Sequence, residues 1–506
     1  MLHNVVLRSA LGTIHRELDL TREDGHAVHV PALRLADFGD KRFSEAHGVT
    51  YPYMAGAMAH GIASVALVAA LAREGFLAAY GAAGLPLDRV AQDLDQLAAR
   101  VGGASYAVNF IHSPQDPELE ARLCELLIQK NIRLVEASAF MKLSKALVRY
   151  RVTGLRERSD GTVEAPRTII GKVSRVEVAR QFWAPPPPPL LDELLREGAI
   201  TADEHRLAAR IPMACDLTVE ADSGGHTDNR PLVTLMPQML ALRSELQKRY
   251  SYSVELRLGA AGGLATPHAV LAAFSMGAAY VVTGTINQAC VESGTSDAVR
   301  QMLAQTEQGD ITMAPAADMF EMGVKVQVLK RGTMFAMRGH KLYEFYRQYP
   351  SLEAIPEKER QMLEDSIFRQ PLAAAWQGTE QYFRTRDPGQ ILRAQANPKH
   401  KMALLFRAYL GQASHWATQG LADRRIDYQV WCGPAMPAFN DWVRGSFMEP
   451  PTERRAAEVA LNLLYGAAVL QRVHIAALQG LTIEDREELL RPRPIAELKT
   501  LLGERG

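Results

Sequence analysis

The chain has 506 residues, 47% of them apolar and 23% charged, a composition that supports a packed globular core and argues against disorder. Lys plus Arg equals Asp plus Glu at 57 each, which leaves no electrostatic footprint for nucleic acid or an anionic membrane. The opening MLHNVVLRSALG lacks a basic segment before a long apolar run, and no stretch of about 18 uninterrupted apolar residues occurs, so a cytoplasmic protein without a membrane span is expected.

Residues 1–45 read as an N-terminal extension. Short β-rich apolar runs then alternate with helical patterns, at 51–56, 76–81, 106–111, 132–138, 169–173, 216–221, 255–260 and 280–285. Strands buried on both faces and alternating with helices predict a parallel (β/α)8 TIM barrel over 46–290, with a doubly wound sheet as the alternative. Within it, 184–214 is a Pro-rich helical insertion. Its five consecutive prolines favour a stiff polyproline II spacer followed by two short helices. From about 290 the pattern changes to helices and loops without a strand signal, giving an α-helical subdomain over 291–450. A C-terminal helical tail follows over 451–506, whose long helix reads as amphipathic. The four cysteines lack metal-type spacing and are expected to be small buried hydrophobes, with no metal bound.

In a TIM barrel the loops after the strands gather at one face, where ligands bind. The residues suited to chemistry fall there. AGAMAHG follows the first strand and carries Gly56, Ala57, Met58 and His60. Asn109 lies in the third strand, although an isolated Asn is also a common turn residue. Lys172 lies in the fifth, where a lysine without a role is seldom buried. EADSGGHTD follows the sixth, so His226 is preceded by adjacent glycines and flanked by Asp222 and Asp228. Gly262 and Gly263 open a helix after the seventh strand, and Gly284 and Thr285 end the eighth. Glycine-rich ends on neighbouring strands are what a phosphate requires, because backbone N–H groups converge there.

The strings AGAMAHGIAS, GFLAAYGAAGL, NFIHSP, EADSGGHTDNRP, GAAGGLATP, VVTGTINQA, DMFEMGVKVQVLKRGTMF and WCGPAMPAFNDWVRGS resemble the trans-acting enoyl reductases. These proteins serve polyunsaturated-fatty-acid synthases and trans-acyltransferase polyketide synthases, and are related to nitronate monooxygenases and FMN-dependent enoyl-acyl-carrier-protein reductases. The resemblance runs from about 30 to about 450. It implies FMN on the barrel, NADPH as reductant, an acyl-carrier-protein-bound enoyl thioester as substrate, synthase modules as partners and a homodimer. By position it implies that the backbone of Gly56, Ala57 and Met58 lines one face of the isoalloxazine. Asn109, Lys172 and Glu220 would contact its edges or the ribityl chain. Gly262, Gly263, Gly284 and Thr285 would hold the phosphate. Ser223, Gly224 and Gly225 would let the loop approach the flavin, with His226 the catalytic residue beside it and His60 and Asp222 on the substrate side. Two other readings are a nitronate monooxygenase-type flavin oxidase and a non-catalytic accessory component of a synthase.

Overall fold

The computed structural model describes residues 2–503 except 23, 115 and 225–227, and describes only the backbone of residues 2–6, 385 and 386. Eight parallel strands close into a barrel: β1 (Tyr53–Ala55), β2 (Leu77–Tyr80), β3 (Ala107–Ile111), β4 (Leu134–Ser138), β5 (Thr168–Val173), β6 (Asp216–Glu220), β7 (Arg257–Ala261) and β8 (Val281–Thr283). Each strand pairs with its sequence neighbour, and β8 returns to β1 through Val281 opposite Tyr53. All eight lie within or beside the runs predicted from apolar patterning.

Inside the barrel, Met54, Leu77, Ala79, Ala107, Leu134, Ile170 and Val282 form one apolar cluster with Phe43 and Tyr280. Phe43 enters from the helix Lys41–His47, which Asp40 caps and Gly48 ends in a left-handed turn. Its ring stacks on Tyr280 at 4.0 Å. The same helix brings His47 Nε2 to 3.0 Å from Asp216 Oδ2, at the first residue of β6. Arg257, the first residue of β7, donates to Asp216 through Nε at 2.6 Å and Nη2 at 2.7 Å. Burial opposes ionisation of Asp216, but the Arg257 guanidinium and His47 hold its carboxyl well below the usual carboxylate range. A charged plug thus closes the end of the barrel where the strands begin.

Chain contacts divide the protein into two compact units, one holding the barrel and the segment from Ala435 onward, the other holding Thr295–Pro434. In the first, the helix Ala456–Leu478 packs on the barrel helices Pro267–Ser275 and Val65–Arg73 and on the N-terminal helix Leu2–Gly12. It is not amphipathic as its pattern suggested. It is long and apolar enough to span a bilayer, yet 83% of an apolar 18-residue stretch within it is buried in the protein. Small residues allow this: a Cβ on Gly466 would lie 2.5 Å from Pro267 Cγ. Arg472, fully buried on the same helix, donates to the carbonyls of Leu11 at 3.1 Å, Ala10 at 3.2 Å and Arg16 at 2.9 Å, satisfying the end of the first helix.

Two other expectations need correction. Only part of the proline run is a spacer, because Pro188 and Pro189 open the helix Pro188–Arg196, where a missing N–H costs nothing. The second unit is not purely helical: Ile311–Pro315 pairs antiparallel with Lys325–Leu329. These strands sit among Phe320, Phe335, Phe345 and Phe406 in a core shared with the helices Phe335–Gln348 and Pro398–Gln419. That context, rather than local periodicity, stabilises so short a pair. In the same unit the buried Asp427 accepts from Tyr409 Oη at 2.8 Å and pairs with Arg424 at 3.2 Å and with Arg338.

Cutting the charged plug on one side tests how much the barrel depends on it. Arg257→Met leaves Asp216 buried with only His47 beside it, so unfolding in urea should occur earlier by a stability loss of about 3–5 kcal/mol. An Asp216→Leu/Arg257→Met double variant should recover part of that loss.

Candidate active site

Side chains alternate along a strand, so the interior cluster predicts which residues form the next layer toward the strand ends. Two residues beyond Met54, Ala79, Ala107, Leu134, Ile170 and Val282 stand Gly56, Gly81, Asn109, Glu136, Lys172 and Gly284. On β6, Thr218 bonds the buried Tyr280 hydroxyl at 2.9 Å, and Glu220 follows two residues on. The layer is therefore polar and charged across β3–β6 and made of glycine on β8, β1 and β2.

On the charged side, Lys172 Nζ lies 2.9 Å from Glu220 Oε1. Burial disfavours the ammonium, but Glu220 and then Glu136 more than offset this and raise its pKa, so Lys172 is charged. Glu136 is completely buried. Its Oε2 accepts the Ala57 N–H at 2.8 Å, and its Oε1 has no hydrogen-bond partner among the described residues. Burial raises the Glu136 carboxyl pKa, against the opposing pull of Lys172 and the Ala57 N–H. Asn109 Nδ2 donates to the Glu136 carbonyl at 3.2 Å and to Ser138 Oγ at 2.9 Å, which fixes its amide against β4.

On the glycine side, the turn after β1 folds tightly over β2. The Ala63 N–H donates to Met58 O at 3.2 Å, and the Gly61 N–H donates to Gly81 O at 3.0 Å. A Cβ on Gly81 would stand 1.8 Å from Met58 O, so only glycine admits this approach. His60, at φ 59°, lies against Gly84 in the same turn. At β7, Gly262 and Gly263 adopt φ 96° and 73°. A Cβ on Gly262 would collide with Ala221 at 2.8 Å, whereas at Gly263 and Gly284 no atom of the described residues lies within 4 Å of that position. Thr285 follows at the start of the short helix Thr285–Gln288. Open space over two exposed glycines at the ends of adjacent strands is a cradle that fits a phosphate group.

The loop after β6 is tied at its base. The Asp222 N–H donates to Arg230 O at 3.0 Å, and Asp222 Oδ1 accepts from Asn229 Nδ2 at 2.7 Å. Asp228 takes a two-pronged bond from Arg175, at 2.6 and 2.7 Å, and one from Ser174 Oγ at 3.1 Å. The Arg175 guanidinium holds the Asp228 carboxyl below its usual range. Ser223 and Gly224 cluster with the second unit, where a Cβ on Gly224 would be 3.2 Å from the Cys432 nitrogen. Gly225 and His226 lie outside the described residues.

The structure therefore brings Gly56, Asn109, Lys172, Glu220 and Gly284 to one layer, ties Ala57 to it through Glu136, and places Gly262, Gly263 and Thr285 at the ends of neighbouring strands. Sequence reading overlooked Glu136, Gly81 and the Arg175–Asp228 clip. The parity of Asn109 and Lys172 would have led to Glu136, a carboxylate inside the apolar run LVEAS.

Residues 40–338 match the nitronate monooxygenase family, and 349–428 match a family described as acyl-carrier-protein S-malonyltransferase, inserted helical domain. A polyunsaturated fatty acid synthase polypeptide of Thraustochytrium sp. is 47% identical over 470 residues, which cover 92% of this chain and 31% of that protein. The polyketide biosynthesis protein PksE of Bacillus subtilis is 42% identical over 439 residues, covering 87% of this chain and 57% of that protein. The chain thus spans about a third to somewhat over half of these relatives' lengths. A crystal structure of the enoyl reductase domain of MlnA, from the macrolactin biosynthesis cluster of Bacillus amyloliquefaciens, is 35% identical with a TM-score of 0.83, covering 87% of this chain and 99% of that one. FabK from Thermotoga maritima, as an M276A mutant, shares the fold at 15% identity and a TM-score of 0.50, covering 86% of this chain and 98% of that one. The chain belongs to the trans-acting enoyl reductase family of polyketide and polyunsaturated-fatty-acid synthases, within the nitronate monooxygenase family of (β/α)8 barrels.

Proposed function

We propose that this protein is an FMN-dependent enoyl reductase that saturates the α,β double bond of acyl thioesters on acyl carrier protein, with NADPH as hydride source. The observation that carries this reading is the mouth of the barrel, with a charged wall on β3–β6 facing glycine on β8, β1 and β2. Similarity to an enoyl reductase domain over nearly its whole length supports it. Bound FMN would supply a carrier able to take hydride from the nicotinamide and give hydride to the β-carbon of the enoyl group.

The residues divide the remaining work. Gly263 and Gly284 leave room for the phosphate, and Gly262 and Thr285 flank it. The Gly56–Met58 backbone, held by Glu136 through Ala57, would line a flat ring. Lys172 supplies a fixed positive charge beside the polar ring edge, where negative charge accumulates as electrons arrive. Asn109 and Glu220 complete that edge. Hydride arrival at the β-carbon leaves an enolate, whose oxygen needs a hydrogen-bond donor and whose α-carbon needs a proton. We assign that role to His226, whose imidazole suits proton transfer near neutral pH, with His60 and Asp222 on the substrate side. Synthase modules in the cytoplasm would present the substrate, and the protein would work as a homodimer.

The reading is tested by anaerobic addition of NADPH, then of a crotonyl thioester on acyl carrier protein. Loss and then recovery of the flavin absorbance supports it. Recovery by oxygen and nitroalkanes alone, without NADPH consumption, would indicate a nitronate oxidase instead. A colourless protein that still binds carrier protein would indicate an accessory component.

Two variants sharpen the assignment. Gly263→Asp places a carboxylate in the phosphate cradle and should purify without FMN, as read from the ratio of flavin to protein absorbance. His226→Ala should retain FMN, while the enoyl-driven step slows by roughly 10²–10⁴ in stopped flow, the range for a lost general acid. The NADPH-driven step should be much less affected. The reverse pattern would make His226 a nicotinamide-positioning residue.

A further inference from the structure

Glu136 is the one fully buried carboxylate among the described residues of the barrel-mouth layer, and the requirements of Lys172 do not by themselves explain it. Glu220 already forms the 2.9 Å ion pair with that ammonium. A second carboxylate in the same layer needs its own reason, because desolvating an ion costs several kcal/mol. Two features supply one. Oε2 anchors the Ala57 N–H, fixing the turn after β1. Oε1 has no hydrogen-bond partner among the described residues and lies 3.5 Å from where a Cβ on Gly56 would stand. Glu136 thus contributes one oxygen to the turn and one to the field of the Lys172 layer.

We infer that Glu136 is a positioning residue that holds the Gly56–Met58 turn through Ala57 and, together with Glu220, balances the Lys172 charge, so that the three side chains set the reduction potential of the bound flavin. This rests on FMN occupying the barrel mouth. Lys172 favours the electron-rich flavin, and the two carboxylates oppose it. Lysine alone would make the flavin easier to reduce and correspondingly poorer at passing hydride on to an enoyl thioester.

The sign of each effect makes the idea testable on the FMN-loaded protein. Glu136→Gln keeps an oxygen for the Ala57 N–H and removes the carboxyl group whose charged form Lys172 favours. It should bind FMN within about threefold of the parent and shift the two-electron midpoint potential in the positive direction. Lys172→Met should shift it in the negative direction, and the double variant should lie between them. Glu136→Ala, which also loses the anchor, should weaken FMN binding by tenfold or more. A purely structural glutamate would weaken binding in both variants and leave the potential of Glu136→Gln unchanged or more negative, which would overturn the inference. If Glu136→Gln fails to load FMN, Glu220→Gln must show the positive shift, and its absence there overturns the inference equally. A parent protein that takes up no FMN would overturn the functional reading itself, and this inference with it.

Discussion

Closing eight parallel strands on themselves sends alternate side chains into a confined interior, and the rest of this protein follows from how that space is filled. The middle of the barrel takes apolar residues. The end where strands begin takes a buried ion pair, with Phe43 stacked on Tyr280 as a stopper. Only the end where strands finish is left for polar groups with work to do, and there the same alternation delivers Asn109, Glu136, Lys172 and Glu220 in one layer.

The two charged ends of the barrel illustrate opposite uses of burial. At the closed end, Arg257 forms both of its short bonds to Asp216, and His47 adds a third contact. Each charge there is answered, so the group holds structure and offers nothing to a ligand. At the open end, one ammonium faces two carboxylates, and one carboxylate oxygen has no hydrogen-bond partner among the described residues. Imbalance of that kind is costly in a site that only needs to be stable, and useful in one that must stabilise charge appearing during a reaction.

The glycines divide by the same logic. Gly81 and Gly262 are glycine because backbone or a neighbouring residue occupies the space where a side chain would begin. Gly263 and Gly284 have that space clear of the described residues, at adjacent strand ends where TIM barrels frequently hold a phosphate. Sequence alone presents all four as similar glycines at strand ends, and only the packing separates the structural ones from those that leave room for a ligand.

Much of the architecture was legible in the chain itself, since apolar runs of strand length alternating with helical patterns admit few folds. The eight strands, the two short helices after the prolines and the glycine-rich strand ends could all be read from local chemistry. Lys172 could be singled out because a lysine in a buried strand is rarely idle. Glu136 could not, because its importance lies in which face of β4 it occupies and in its approach to Ala57 and Lys172, residues far away in sequence. The hairpin at Ile311–Pro315 and Lys325–Leu329 escapes notice for a similar reason: strands of five residues owe their stability to the aromatic core around them. The helix Ala456–Leu478 reads as amphipathic although it is not, because a helix's surroundings, not its own pattern, determine whether its second face meets water or another helix. Periodicity and residue type determined the fold class and the candidate strand ends. Side-chain parity, burial and long-range contact, which arise only when the barrel closes, decided which residues form the site.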